Sequence, residues 1–286
     1  MRRTQNPDGG WGYFLGKQSW LEPTAYAALV LHGEPAADRA WKLLSGWQGK
    51  DGGFRPKADV EIESWGTALW LLLASARGES GAGSEQSAVP AISQAVTWML
   101  GVRGAEAWWL KRWTANLGLF QAERDLNFIG WPWKQDTSSW VEPTAHSIVA
   151  LKRLSPKFAS NPLRERLRLA IGNLMDVRCS DGGWNYGSRA ALNHDLPSYP
   201  ETTGLALLGL QGRTDLRPSL DLAQRLATDH TSSLARSWLA IALRLHGREA
   251  PEPLTGALPA DLHEVALEAL AAPEGNYKFF QTEVHA

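Results

Sequence analysis

The sequence has little of what marks a secreted, membrane-spanning or nucleic-acid-binding protein. Its 286 residues include one cysteine, Cys179, which excludes an internal disulfide and fits a reducing compartment. Lys and Arg number 29 against 30 Asp and Glu, without any basic run, so we expect no nucleic-acid partner. The longest apolar stretches are too short to span a bilayer, and the first motif follows Met1 too closely to leave room for a signal peptide. We therefore expect a cytoplasmic protein.

A repeated motif is what the chain has in abundance. Each copy has a glycine–aromatic turn, a loop containing Trp or Tyr, and then a helix that starts near a Thr followed by Ala or Gly. The four turns are Asp8-Gly9-Gly10-Trp11, Asp51-Gly52-Gly53-Phe54, Gly130-Trp131-Pro132-Trp133 and Asp181-Gly182-Gly183-Trp184. Such a repeat predicts stacked helical hairpins, because one hairpin alone cannot bury its apolar face.

The opening stretch Gln5-Asn6-Pro7-Asp8-Gly9-Gly10-Trp11-Gly12 resembles the QW motif of the terpenoid cyclase and protein prenyltransferase superfamily, which includes squalene-hopene cyclase. The resemblance extends from residue 5 to about residue 247. It implies an all-α fold, an α/α toroid in which inner and outer helices alternate around a central cavity. We expect one domain, 1–286, with an aromatic insertion at about 102–128 that either completes the ring or forms a flap over one mouth.

The pattern of apolar residues and cap signals places the individual helices. We expect inner helices, apolar on all sides, at about 22–32, 64–76, 140–153, 201–211 and 231–246. We expect amphipathic outer helices near 36–47, 88–101, 162–176, 216–227 and 260–271, the last of which closes the circle. The glycines of the turns, Gly10, Gly53 and Gly183, are expected to adopt positive φ.

Tryptophan is the outlier in composition, with 15 residues against 7 Phe and 5 Tyr. Each indole can fill the gap between hairpins, or it can line a cavity and attract carbocations or stack on sugar rings. The candidate substrate-binding residues lie at or beside repeat positions of the motif. They are Trp140, Trp133, Trp20, Glu22, Tyr26 and Glu201.

The resemblance also suggests a catalytic acid. Cyclases that protonate an alkene carry Asp-x-Asp-Asp-Thr-Ala, and alignment on Thr-Ala matches Glu142 to the proton-donating carboxylate, with Pro143 in place of the Asp that follows it. His146 is four residues further along the same helical face, and Asp136 supplies a second carboxylate. Glu142, His146 and Asp136 are therefore the candidate catalytic residues. In the alternative, Glu22, Glu142 and Glu201 are scaffold groups that favour the positive ends of three helices.

No metal or cofactor is expected. Prenyltransferases of this superfamily hold zinc with Asp, Cys and His, but here Cys179 precedes a glycine turn, whereas the Asp-x-Cys of that family follows one. No phosphate-binding loop or nucleophile elbow is visible either.

Three functions remain open from the sequence. The first is a class II terpene cyclase-type enzyme, an isomerase or lyase, in which Glu142 starts cyclisation of an isoprenoid that peripheral membrane contact helps to collect. The second is a carbohydrate-active toroid with paired carboxylates. The third is a non-catalytic binding or scaffold relative that lacks the Asp-x-Asp-Asp motif. A deep apolar cavity favours the first, an open polar groove the second, and a ring filled by its own side chains the third.

Overall fold

The computed structural model describes residues 1–79, 85–108, 113–114, 117, 124–192, 194–228, 232–252 and 259–282. Helices dominate the described residues, and their one sheet is a short antiparallel pair, Ala190–Ala191 with His194–Asp195. The helices form an α/α toroid, so the predicted fold class is confirmed.

Within the described ranges, six helices form the inner ring of the toroid. They are α1 (Leu21–Val30), α3 (Gly66–Glu79), α5 (Val141–Phe158), α7 (Pro200–Gly209), α9 (Ser233–Leu245) and α10 (Leu262–Ala271). Each packs against the next in this order, and α10 packs back against α1 to close the circle. Helices α1 and α7 are buried along nearly their whole length, as expected for helices packed on two sides.

Four of the helices that the structure describes lie outside this ring. They are α2 (Pro35–Ser45), α4 (Glu85–Gly101), α6 (Asn161–Asp176) and α8 (Arg217–Thr228). Proline near the first position starts α2 and α6, and the Ser160 hydroxyl caps α6 by accepting the Leu163 N–H at 3.3 Å.

The helix expected on the outside at 260–271 lies in the inner ring instead. Its residues Leu262, His263, Leu267 and Leu270 are buried against α9 and α1. His263 and Glu264 make the sequence of this helix look amphipathic, which predicted an outer position. Both residues lie in its first turn, near charged groups of other helices. The prediction that this helix closes the circle was correct, and its outer position was wrong.

The repeated threonine explains the repeated turn. In every copy the buried hydroxyl of this threonine accepts a hydrogen bond from the backbone N–H of the turn aromatic residue. The four bonds join Trp11 to Thr24 (2.9 Å), Phe54 to Thr67 (2.8 Å), Trp131 to Thr144 (2.8 Å) and Trp184 to Thr203 (3.1 Å). These four aromatic side chains are buried, so they join the hairpins rather than bind a ligand.

The two glycines of each pair have different structural roles from those expected. Positive φ occurs at the first glycine of each pair, with values of 95° at Gly9, 98° at Gly52 and 94° at Gly182. The second glycine is required for space, because a Cβ on Gly10 would lie 2.6 Å from the Ser19 hydroxyl oxygen. The expected positive φ at Gly10, Gly53 and Gly183 was therefore wrong.

The aromatic insertion is described only in part. A short 3-10 helix, Ala105–Ala107, carries the buried Glu106, whose carboxylate accepts hydrogen bonds from the backbone and hydroxyl of Ser139. Trp108 and Trp113 are more than half exposed. Trp109 and Phe120 lie outside the described residues. The described contacts thus tie the insertion to the loop that precedes α5.

Candidate active site at the ring mouth

Charged side chains from four inner helices meet where these helices begin, an end of the toroid that we call the ring mouth. The second residue of the helix is Glu22 in α1, Glu142 in α5, Glu201 in α7 and His263 in α10. Electrostatic interactions link Glu142 with Glu22 and Glu201, and link Glu201 with His263. The closed ring therefore gathers residues that are up to 241 positions apart in the sequence.

Loop carbonyls bind backbone N–H groups at the starts of the ring-mouth helices. The first N–H of α1, α5 and α10 donates to a carbonyl of a neighbouring loop, and α7 begins with Pro200, which has no N–H. Leu21 donates to the carbonyl of Pro56, Val141 to that of Tyr186 and Leu262 to that of Tyr13, at 2.6 to 2.8 Å. No side chain caps α1, α5 or α7 by a hydrogen bond. The glutamates nevertheless lie in the first turn, near the positive end of each helix, so the scaffold interpretation stays a prediction.

Of the three glutamates, Glu142 has the least favourable surroundings for a negative charge. It is half-buried, and among the described residues no group donates a hydrogen bond to its carboxylate. Burial raises its pKa well above the usual value, and the nearby Glu22 and Glu201 raise it further. A carboxyl group whose pKa is raised in this way has a property that a general acid needs.

Glu22 has two partners. The Tyr13 hydroxyl donates a hydrogen bond to one carboxylate oxygen, and Nε2 of His263 lies 3.5 Å from the other. Burial, followed by the charge of Glu22, raises the pKa of Tyr13, so this hydroxyl keeps its proton and remains a donor. Glu22 is thus held in place as an acceptor.

Glu201 completes the set from α7. Burial is the main cause that raises its pKa, and Glu22 adds to it, while His263 acts in the opposite direction. The pKa values of Glu142 and Glu201 are thus both raised by burial and, to a lesser extent, by neighbouring carboxylates.

A second layer of side chains lies one helical turn further into the ring. The sixth residue is Tyr26 in α1, His146 in α5 and Trp238 in α9, and all three are buried. Nδ1 of His146 is 3.0 Å from the backbone carbonyl of Glu142, and Nε2 is 2.8 Å from the Tyr26 hydroxyl. Since a carbonyl only accepts, Nδ1 carries the proton and Nε2 accepts from Tyr26.

His146 therefore does not contact the Glu142 carboxylate. Burial lowers the pKa of His146 to about 4, so the imidazole is neutral near pH 7. The predicted pair is brought together in the structure, but His146 binds the backbone of Glu142 and positions it.

Tyr26 lies at the centre of the toroid. Its ring centroid lies 5.0 Å from that of His263, 5.8 Å from Trp238, 6.2 Å from His146 and 6.4 Å from Phe280. Phe280 comes from a C-terminal 3-10 helix, Asn276–Phe280, and is fully buried. These side chains fill the ring beneath the carboxylates, so the ring mouth is shallow and has an aromatic floor.

Exposed aromatic side chains surround the ring mouth. Trp140, Tyr186 and Tyr199 are each about two-fifths exposed, and their rings form a row with centroid separations of 6.2 Å and 5.2 Å. We call these three residues the aromatic rim. On the far side, Trp20 packs against Tyr13 at 5.9 Å beside a surface cavity of about 570 Å³. Both positions suit a flat ligand.

Two predicted residues take other places. Asp136 is exposed, has a φ of 66°, and lines a separate cavity of about 410 Å³ with Arg103 and Trp108. Trp133 is also exposed and packs edge-on against Trp65, with their centroids 4.9 Å apart. The structure therefore does not place Asp136 among the groups that act on Glu142.

Several residues of the site were missed from the sequence. Tyr13 and His263 lie outside the Glu-x-Thr-Ala pattern, although His263 takes the same second position in its helix. Tyr186 and Tyr199 flank the fourth loop, and the spacing gave no sign that they face Trp140. Closure of the ring brings His263 to Glu22, whereas Tyr13 reaches Glu22 from the loop before α1 and the two tyrosines reach Trp140 from the neighbouring hairpin.

Two further findings concern the described residues only. None of their helices is long and apolar enough to cross a membrane. Nor do they contain a group of three His, Cys, Asp or Glu side chains placed to hold a metal ion. Cys179 is buried and free.

No family model and no curated protein matches this chain. Among solved structures, a family 8 glycosyl hydrolase endoglucanase from Klebsiella pneumoniae is similar, with a TM-score of 0.63, 13% identity, and 94% of this chain and 95% of that chain covered. A family 8 endo-β-1,4-glucanase from an Achatina fulica gut metagenomic library has a TM-score of 0.62, 14% identity and 94% of both chains covered.

A type II terpene cyclase from Scytonema, in complex with its product merosterolic acid A, is similar over 93% of this chain and 74% of that chain, with a TM-score of 0.50 and 18% identity. At such identities these three structures show the fold alone. The α/α toroid is common to both kinds of enzyme, so the fold does not choose between their activities.

Proposed function

We propose that this protein is an enzyme that performs acid–base chemistry on a carbohydrate at the ring mouth. One observation carries the proposal: three glutamates from different inner helices interact electrostatically at the ring mouth, beside exposed aromatic rings. Glycosidic bond cleavage uses a pair of carboxyl groups, one as acid and one as base or nucleophile.

The partners of each glutamate suggest its role. Glu142, which keeps its proton, is the general acid that protonates the leaving oxygen. Glu22, held by the Tyr13 hydroxyl and near His263, is the second carboxylate. Glu201 is within electrostatic range of both, and its charge helps Glu142 to retain the proton.

The shape of the opening also supports a sugar. The aromatic floor leaves a broad, shallow site rather than a deep apolar chamber. Sugar rings have apolar faces that pack well on aromatic side chains, and the aromatic rim of Trp140, Tyr186 and Tyr199 offers three in a row. The two similar glucanases show that this fold accommodates such chemistry elsewhere.

The second candidate is acid-initiated cyclisation of an isoprenoid. One observation favours it: aromatic rings stand close to the acid helix, since Trp65 and Trp238 lie 5.4 Å and 5.3 Å from the His146 ring. Aromatic faces stabilise cations, and a protonated Glu142 is the required acid. The filled ring centre weighs against this candidate, because a long apolar chain needs a deeper pocket.

The experiment compares the two substrate classes with the same variants. Purified protein is assayed on soluble β-1,4-glucans and xylans by release of reducing ends, and on geranylgeranyl compounds by chromatography of cyclised products. Reducing ends formed by wild-type protein and lost in Glu142→Gln support the proposal. Cyclised product lost in the same variant supports the second candidate. Wild-type protein that acts on neither panel contradicts both and leaves a binding or scaffold role.

A further inference from the structure

We propose a second ligand site, on the outer wall of the toroid, that binds a single-chain amphiphile with an anionic head group. A cavity of about 1130 Å³ lies between the outer helix α6, the C-terminal part of α5 and the turn between α7 and α8. Small-molecule sites occupy about 300–1,000 Å³, so this cavity has the size of a ligand site. None of the ring-mouth residues lines it.

The wall of this cavity is an uncovered apolar stripe. Leu163, Leu167, Ile171 and Met175 follow one another at intervals of four along α6, so they lie on one face of that helix. Leu167, Ile171 and Met175 remain partly accessible. Phe128 and Pro156 extend the same surface. An exposed apolar stripe inside a concavity is the feature that receives a hydrocarbon chain.

Lys152 supplies the polar end. It is largely enclosed in the wall, and its ammonium group donates one hydrogen bond among the described residues, to the backbone carbonyl of Gln211 at 2.8 Å. An ammonium group has three donors, so two remain for a ligand. Burial lowers the pKa of Lys152 to about 8, and the charge of Arg213 adds to this effect. An anion bound here would offset both the burial and the Arg213 charge that lower the pKa of Lys152.

The charge of the lining selects the sign of the head group. Five of its ionisable side chains are cationic, and Asp176 alone is anionic. Arg168 and Arg213 are paired with Glu165 and Asp215 on the protein itself. Lys152 and Arg189 have no carboxylate partner among the described residues, and they flank the apolar stripe. A carboxylate or phosphate head at Lys152, with its chain along α6, satisfies both surfaces.

The test measures binding of laurate and dodecyl phosphate to the full-length protein by calorimetry, below the concentrations at which they form micelles. Dodecyltrimethylammonium, acetate and inorganic phosphate are the comparison probes. We expect both anionic amphiphiles to bind at a single site, and the cationic one to bind at least about tenfold more weakly. Of the two heads, the one that binds more tightly identifies the natural class.

Two variants remove the cations, and one matched control removes a distant charge. Lys152→Met and Arg189→Met should each weaken binding, with about a tenfold loss for Lys152→Met. Lys42→Met, on the exposed face of α2, should bind like the wild type. Glu142→Gln should also bind normally, because the ring mouth is a different site. Melting temperatures show that each variant is folded, and Arg189 is exposed enough for its variant to keep the fold.

The proposal is overturned if Lys152→Met and Arg189→Met both bind laurate and dodecyl phosphate as tightly as the wild type. It is equally overturned if the cationic amphiphile binds as well as the anionic ones. A concentration-dependent dimer that loses affinity for itself in Ile171→Glu would show that a second copy of the chain, not an amphiphile, covers the stripe.

Discussion

The threonine and the glutamate of the repeat lie two positions apart in sequence, but only the threonine makes the same contact in each copy. The threonine of each copy makes the same bond to the same backbone position, from Thr24 to Thr203. In three of the four copies a glutamate stands two residues before this threonine, and its surroundings differ: Glu22 has Tyr13 and His263, while Glu142 has no donor among the described residues. Repetition in sequence therefore identifies a scaffold residue only when the bond is repeated as well.

The largest expected effect tests the glutamates. If Glu142 is the general acid, Glu142→Gln should lower turnover of the active substrate class by about 10²–10⁴-fold, because the amide keeps the shape but gives up no proton. In the wild type, activity should fall as pH rises through the raised pKa of Glu142, since the ionised form is not an acid.

Unequal effects of substituting the three glutamates on turnover would sharpen this comparison. Glu22→Gln should also reduce turnover, whereas Glu201→Gln should act mainly by shifting the pH profile to lower pH, because one neighbouring negative charge is gone. Three identical, small effects would contradict separate roles and return the glutamates to the scaffold.

His146 is an unrepeated residue whose imidazole is bound by the Glu142 carbonyl and the Tyr26 hydroxyl, so it tests the other half of the comparison. Its folded-state pKa of about 4 lies below the ordinary value of 6.5, so the unfolded chain takes up the proton first. The stability that this residue contributes is present above pH 6.5 and is lost as pH falls towards 4. The loss is on the order of 3 kcal/mol.

Urea unfolding at several pH values between 4 and 7 measures this slope. His146→Gln should flatten it, whereas His194→Gln, at an exposed position in the small sheet, should leave it unchanged. An unchanged slope in His146→Gln would mean that the imidazole is not buried in its neutral form.

The fold was largely predictable because its information is local and repeated. Each turn, loop and threonine recurs, so four copies confirm one interpretation. The errors occurred where the repeat is silent. Gly9 and Gly10 exchange roles, since φ and space are both invisible in a Gly-Gly pair. Helix α10 begins without the motif, and its charged first turn concealed an inner position.

The site was predictable only as far as the repeat carries it. Glu22, Glu142 and Glu201 were found from their shared position, and the structure brings them together. His263 was not found, because only ring closure between α10 and α1 makes it a neighbour of Glu22, and Tyr13 was not found because it is not part of the repeated motif. Asp136 is near Glu142 in sequence, but its backbone has a φ of 66° and its side chain lines a different cavity.

The threonines should respond alike to substitution. Thr144→Val leaves the buried N–H of Trp131 without an acceptor, which costs about 1–3 kcal/mol of unfolding free energy. Thr24→Val, Thr67→Val and Thr203→Val should cost similar amounts, because each breaks the same bond. Urea unfolding of the four variants is the measurement. A single copy that tolerates valine would show that its turn is held by other contacts.

The smallest expected effect concerns the donor to Glu22. Tyr13→Phe removes the hydroxyl that binds the carboxylate but keeps the ring that packs on Trp20, so stability should fall by only about 0.5–1.5 kcal/mol. Its effect on activity is more informative. If Glu22 is a positioned carboxylate, Tyr13→Phe should lower kcat more than it raises KM, because the ligand still contacts the rim while Glu22 loses its fixed orientation. Tyr199→Phe is the matched control, since it removes a hydroxyl from the exposed aromatic rim without touching a glutamate bond. Equal kcat values for Tyr13→Phe and the wild type would mean that the Tyr13 bond only stabilises the loop, and Glu22 would then join the threonines as part of the scaffold.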